Sequence, residues 1–352
     1  MALRRRSPLE CARDTPQPGA ASPLGDSGAT TAVSRVEIDP ARTTSAETQP
    51  RPTGRGPDRA VVALAVATAL CTYGLIVLGS TVRVTNSGMG CPSWPLCFGQ
   101  IGPVDRYHAL LEQSHRYLVA LVTVGIFSTA LVARRSPLRK MALVPALSAG
   151  ALVLVQAGLG ALTVLAKNAP WTVALHLVVG FVFFATTVVT AVAAWRAPER
   201  SWSFAAVGRW GWSALGATLA LVIGGSLVVA NNAAAACPSW PICTHPASDG
   251  LIAWQLLHRS LAGITGICIV GFVASRWHGT AGWRSWRTGA AVLIALVAVA
   301  GSFGAASALS RGAPAWQDAH LALAAMVWGL LVVLVTTLAT RAPRTLRTGT
   351  AR

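Results

Sequence analysis

Apolar residues recur in long stretches without a formal charge, at 60–82, 117–133, 141–166, 168–195, 210–248, 260–275, 288–310 and 319–340. A helix crosses a hydrocarbon core of roughly 30 Å with about 20 residues, and the shorter stretches reach that length once flanking polar side chains snorkel to the interface. The second half of 210–248 has the character of a loop. The pattern therefore predicts an all-α integral membrane protein of eight transmembrane helices. Residues 1–58 break the pattern: they are rich in Pro, Ser, Thr, Ala, Gly and Arg and hold seven of the twelve acids, so they are expected to form a disordered tail. Arg4, Arg5 and Arg6 are not followed by an apolar core, which argues against a cleaved signal peptide.

Composition agrees with the pattern. Apolar residues make up 53% of the 352-residue chain and charged ones 12%, with a mean hydropathy of +0.54, far from a soluble average. The net charge of +17 would suit a nucleic-acid partner if the cations formed one face. Instead they fall in short clusters between apolar runs, which is a topological pattern and excludes nucleic-acid binding. From Arg59 onward there are 21 Lys and Arg. Eight spans put both ends on one side, and placing that side in the cytoplasm assigns it 15 cations, at Arg59, Arg134 to Lys140, Arg196 to Arg209, Arg276 to Arg287 and Arg341 to Arg352. The opposite side receives six: Arg83, Arg106, Arg116, Lys167, Arg259 and Arg311. The positive-inside rule thus predicts cytoplasmic termini in a cell-membrane protein.

The chain also repeats itself. Residues 79–97 (GSTVRVTNSGMGCPSWPLC) align without a gap to 225–243 (GSLVVANNAAAACPSWPIC) with ten identities in nineteen positions. Each copy continues with a span that opens on His-Arg, at His115-Arg116 and His258-Arg259, and closes with a span carrying an early histidine, His176 and His320. The expected domains are a cytoplasmic tail at 1–58, a four-helix bundle at 59–196, a linker at 197–210, a second four-helix bundle at 211–341 and a short tail at 342–352. Four spans return each copy to the same face, so the halves are parallel repeats about an axis along the membrane normal.

Four histidines at matched depth carry the chemistry. A single histidine at a helix end often just bonds a terminal carbonyl. Two pairs, each on the second and fourth helices of a bundle, instead provide the opposed imidazoles that a six-coordinate haem requires. A zinc or copper site would need further ligands, and the neighbours are Leu, Val, Ala and Gly. Cys91/Cys97 and Cys237/Cys243 share one C-x5-C spacing; each pair is either a loop staple on an oxidising face or a redox participant. Cys11, Cys71 and Cys268 read as incidental or packed thiols. Among the five acids after the tail, Glu112 stands three residues before His115 and so shares its helix face, while the second half has Gln255 at the matching place. One half thus carries a carboxylate where the other carries a neutral amide. The alternative for Glu112 is a charge stabilised at a helix N-terminus, and Asp318, two residues before His320, has that reading.

The EQSHR segment at Glu112 to Arg116, the four helix-borne histidines, the CPSWPLC and CPSWPIC loops and the duplicated eight-span layout together resemble the haem A synthase (CtaA/Cox15) family over roughly residues 60–340. The resemblance implies an oxidoreductase that converts the C8 methyl group of haem O to a formyl group by successive hydroxylations, giving haem A for cytochrome oxidase. It implies that His115 and His176 hold the substrate haem O with Glu112 as catalytic acid, and that His258 and His320 are axial iron ligands of a haem b cofactor. Haem O synthase and a second copy of the chain are candidate partners beside an unidentified electron acceptor. A dihaem electron-transfer cytochrome is the rival reading; it requires neither the Glu112/Gln255 asymmetry nor the cysteine loops. A transporter is disfavoured, because the histidines cluster near one face and charges lining a pathway are missing.

Overall fold

The computed structural model describes residues 56–136, 139–196, 200–244, 250–279 and 283–341. The expectations for the two tails and for Cys11 lie outside the described residues. Eight helices carry the chain: α1 (Gly56–Val84), α2 (Tyr107–Ala133), α3 (Arg139–Leu165), α4 (Pro170–Arg196), α5 (Gly208–Ala230), α6 (Ile252–Trp277), α7 (Arg284–Leu309) and α8 (Pro314–Ala339). All eight are long and apolar enough to cross a membrane, and the protein is a multi-pass membrane protein.

Several helices begin well before their charge-free run. The apolar stretch of α2 starts at 117, yet the helix opens at Tyr107 and takes Glu112, His115 and Arg116 inside it. An Arg116 to Glu112 ion pair of 2.6 Å, one helical turn apart, lets those charges lie within a membrane helix. Pro314 opens α8, where the missing N–H removes no helical hydrogen bond. Two-residue strands, β1 (Ser201–Trp202) and β2 (Thr340–Arg341), pair antiparallel just after α4 and α8, so those two helix ends lie on the same side. Ser203 N–H donates to the Ala339 carbonyl at 2.7 Å beside them.

Packing follows the internal repeat. Neighbouring antiparallel pairs α1/α2, α3/α4, α5/α6 and α7/α8 make the closest contacts. Across the halves α4 lies against α8, and α1 meets α8 as α5 meets α4, a pattern unchanged when the halves are exchanged. The halves differ inside: α1 packs along α4 and α2 along α3, whereas the matching α5–α8 and α6–α7 contacts are thin.

α4 and α8 are accordingly the most buried helices, and the apolar side chains exposed elsewhere, such as Leu70, Leu121, Val124 and Ile267, face outward as lipid contact requires. Their seam is built from Phe181, Phe184, Val188, Ala325, Trp328 and Val332 in one buried cluster. Lipid tails are as apolar as these side chains, so close fit and buried hydrogen bonds hold the seam rather than a hydrophobic drive. Trp328 Nε1 donates to the Phe181 carbonyl at 2.8 Å, and Gly329 lets Phe184 approach to 3.0 Å of where a Cβ would stand.

Replacing Trp328 by Ala removes both the ring and the hydrogen bond, and should destabilise the protein by about 3–5 kcal/mol. Trp328→Phe keeps most of the volume and loses chiefly the hydrogen bond, and should cost about 1–2 kcal/mol. Thermal unfolding in detergent, compared for the two variants, checks this order.

Candidate functional site

His176, His258 and His320 are each the seventh residue of their helix and His115 the ninth. Because successive spans alternate in direction, the beginnings of α2, α4, α6 and α8 lie at one face, and all four imidazoles lie a turn or two below it. All four are half-buried.

His258 and His320 face each other across the second half, with ring centres 6.3 Å apart and planes at 89°. An imidazole nitrogen binds a first-row metal at about 2 Å, and the ring centre lies about 1 Å further on, so two opposed ligands of one metal bring their ring centres to roughly 6 Å. The observed pair fits that requirement. Among the described residues no group of three or more His, Cys, Asp or Glu is gathered to hold a metal. Two axial nitrogens therefore suit a group that brings its own equatorial donors, as a haem does. His320 Nδ1 is bonded to the Ala300 carbonyl at 2.9 Å. A carbonyl only accepts, so the ring is held with its proton on Nδ1 and its Nε2 lone pair available to a metal. In the first half His115 and His176 are close enough for their charges to interact.

The structure adds a contact that the sequence reading missed. Each histidine ring lies over a glycine of the preceding helix. A Cβ built on Gly79 would stand 2.9 Å from His115 Cε1, on Gly225 3.1 Å from His258 Cε1, on Gly304 2.9 Å from His320 Cε1, and on Gly160 3.5 Å from His176 Cε1. Gly79 and Gly225 head the aligned repeat segments, which was the available signal.

Glu112 is buried at 5% exposure and its carboxylate is fully engaged. Oε1 accepts from Arg116 Nη2 at 2.6 Å and Oε2 from the Cys91 N–H at 2.8 Å. Its helix face is the one expected beside His115, and in addition it fastens the Cys91–Cys97 loop to α2. Arg116 Nη1 extends the clamp to the carbonyls of Ser93, Pro95 and Leu96 at 2.7, 3.1 and 3.2 Å. Arg259 repeats this role, donating to the Pro241 and Cys237 carbonyls at 3.1 and 2.9 Å. Gln255 differs from Glu112 in partner as well as charge: its Nε2 donates to the Ala233 and Ala234 carbonyls at 2.8 and 3.0 Å. A backbone N–H selects an acceptor and a carbonyl selects a donor, so the two loops themselves call for a carboxylate in one half and an amide in the other.

Cys91 is paired with Cys97 and Cys237 with Cys243 as disulfides, while Cys71 and Cys268 are free. Both loops contain a cis Trp–Pro bond, at Trp94–Pro95 and Trp240–Pro241. Asp318 does more than end a helix. Its Oδ2 accepts from Thr81 Oγ1 at 2.8 Å, and Arg83 Nη2 donates to Gln317 Oε1 at 3.1 Å. These bonds tie the end of α1, just past Gly79, to the start of α8, just before His320.

Comparison with known proteins gives the family. The family described as cytochrome oxidase assembly protein (COX15–CtaA) matches residues 62–332. A haem A synthase of Symbiobacterium thermophilum is 29% identical over 302 residues, 78% of this chain and 94% of the relative. A haem A synthase of Geobacillus kaustophilus is 30% identical over 234 residues, 62% of this chain and 72% of the relative. A protohaem IX farnesyltransferase of Halobacterium salinarum is 31% identical over 128 residues, 36% of this chain but 28% of that protein.

Mass spectrometry of non-reduced protein should find Cys91 linked to Cys97 and Cys237 linked to Cys243, with Cys71 and Cys268 alkylated once the protein is unfolded. Arg116→Ala should leave the first disulfide formed while making its loop cleavable by protease, since three carbonyl contacts are lost at once.

Proposed function

The chain belongs to the COX15–CtaA family of cytochrome oxidase assembly proteins, and on that footing we propose that it is a haem A synthase, an oxidoreductase acting on the C8 methyl group of haem O. The paired imidazoles carry the reading. His115 and His176 hold the substrate haem in the first four-helix bundle, 59–196, and His258 and His320 hold a haem b in the second, 211–341. The 6.3 Å separation of the second pair supports this assignment. Haem b, when bound, supplies a one-electron carrier beside the substrate. The site lies toward the extracytoplasmic face of the cell membrane, on the side opposite the 15 cations.

The chain's own residues do the rest. Two imidazoles fix the substrate macrocycle against rotation and sliding, which places one methyl edge in a constant position. Glu112 is held by Arg116 and the Cys91 N–H. A carboxylate so fixed can accept a proton or stabilise positive charge developing at the substrate edge without reorganising. Each of two hydroxylations takes one oxygen from water, passes two electrons to the acceptor and releases two protons, and the resulting gem-diol loses water to leave the aldehyde. Prenyl transfer to protohaem supplies the substrate, which makes haem O synthase the natural neighbour. The rival reading, an electron-transfer cytochrome, leaves the Glu112/Gln255 difference without a chemical purpose.

The test is Glu112→Gln, expressed with a haem O source. Glutamine retains a carbonyl oxygen for one of the two donors, so the fold, the Cys91–Cys97 linkage and the haem content should persist. Haem A recovered by extraction and chromatography should fall about 10²–10⁴-fold, the contribution of a general acid–base group, with haem O or a singly hydroxylated product accumulating. Wild-type yields of haem A with the loop intact would return Glu112 to the role of a loop anchor. In parallel, His258→Ala or His320→Ala should abolish a low-spin b-type spectrum, and retention of that spectrum by both would refute the haem b assignment.

A further inference from the structure

The four imidazoles are not held alike. His258, His115 and His320 press on glycines at 3.1, 2.9 and 2.9 Å of the missing Cβ, closer than a side chain there could tolerate without moving the ring. His176 over Gly160, at 3.5 Å, has ordinary van der Waals room. The Nδ1 atoms instead separate the halves, and within the first half only the glycine seat distinguishes His176 from His115. His320 is latched to the Ala300 carbonyl at 2.9 Å, and the His258 ring lies against the Leu221 carbonyl without closing a hydrogen bond of standard geometry. His115 and His176 have no partner at Nδ1 among the described residues. At Gln156, the position matching Ala300, the side-chain amide donates to the His176 backbone carbonyl at 3.1 Å, which anchors the helix and leaves the ring unlatched. A backbone carbonyl bonded to the other ring nitrogen orients a ligating imidazole and raises its basicity, so its absence leaves the two first-half rings the weaker pair.

We propose that Gly79, Gly225 and Gly304 are positioning residues that seat three axial imidazoles rigidly, and that the wider Gly160 seat makes His176 the axial ligand that lets go when a haem enters or leaves the first half. The proposal rests on the first half being the substrate site. A permanent cofactor needs two restrained ligands, whereas a substrate must be exchanged at every turnover. One yielding ligand provides for that, and the firm His115 seat keeps the macrocycle in register.

Carbon monoxide is the probe, because it binds ferrous haem only where an axial ligand yields. In the purified full-length protein holding both haems, the first-half haem should take up carbon monoxide and the second should not. His258→Ala, which lacks the second haem, identifies which one reacts. Gly304→Ala and Gly225→Ala should displace their rings, abolish the low-spin ferric resonance signal of the second haem and create a new carbon monoxide site. The first-half signal, unchanged, reports that the variant is folded. Gly160→Ala fills its seat without pushing the ring, and should slow carbon monoxide uptake at the first haem several-fold while haem remains bound. The proposal is overturned if Gly304→Ala and Gly225→Ala retain the wild-type low-spin signal, or if Gly160→Ala speeds uptake or leaves it unchanged. Should the second-half variants fail to fold, the Gly160→Ala rate decides alone. A failure of the functional reading looks different: wild-type protein would then carry no haem, or two equivalent haems that both resist carbon monoxide.

Discussion

In the haem sites proposed for this chain, two imidazoles that must meet one metal from opposite sides fix most of what surrounds them. The rings of His258 and His320 lie 6.3 Å apart, and a shift of about 1 Å in either helix would break the match, given a metal–nitrogen bond of about 2 Å. That tolerance demands helices that approach closely and in register. The glycines under the rings provide the approach, because backbone in place of a side chain lets α5 and α7 come against the imidazoles of α6 and α8. The α4–α8 seam, with the Trp328 to Phe181 bond at its middle, holds the two halves in a fixed relation, and Thr81, Arg83, Gln317 and Asp318 repeat that function near the histidine level. Side-chain fit and satisfied polar groups perform this task because a lipid solvent offers no hydrophobic drive.

Duplication then allows the two copies to diverge. Both loops are crossed by a disulfide and clamped by an arginine, Arg116 or Arg259, one residue after His115 or His258. They differ at the helix side chain that anchors each loop, where Glu112 meets a backbone N–H and Gln255 meets two carbonyls. The change therefore involves the loop backbone as well as the residue. A carboxylate introduced into the second half would face acceptors, and an amide in the first must present its oxygen to Cys91. On the proposed function the same position serves architecture and chemistry together: the group that couples the disulfide loop to α2 is also the acid nearest the first-half histidines in sequence.

The eight spans were legible because charge-free runs and the width of a bilayer leave few alternatives, and the repeat was legible because CPSWPLC and CPSWPIC align without a gap. The pairing of histidines followed from matched depth. Helix starts were read late: a run that counts charges stops at 117, while α2 carries Glu112 and Arg116 inside it as a neutralised pair. The glycine seats went unread although Gly79 and Gly225 head the aligned segments and Gly160–His176 and Gly304–His320 share a spacing of 16 residues, because such glycines become meaningful only when neighbouring helices are in contact. Asp318 read as a helix-end charge because its partner, Thr81, is 237 residues away. Contacts between halves leave no local signature in the pattern of hydrophobic positions.

The account's central claim is that two bundles of one design hold one permanent haem and one transient haem. Haem content of the purified full-length protein, determined by extraction and chromatography before and after incubation with excess haem O, measures that claim most directly. One haem b per chain should resist exchange, and a second, variable fraction of haem O and haem A should turn over with the added haem. Two haem b per chain, neither exchanging and with no haem A formed, would contradict the account and leave a dihaem electron carrier in its place.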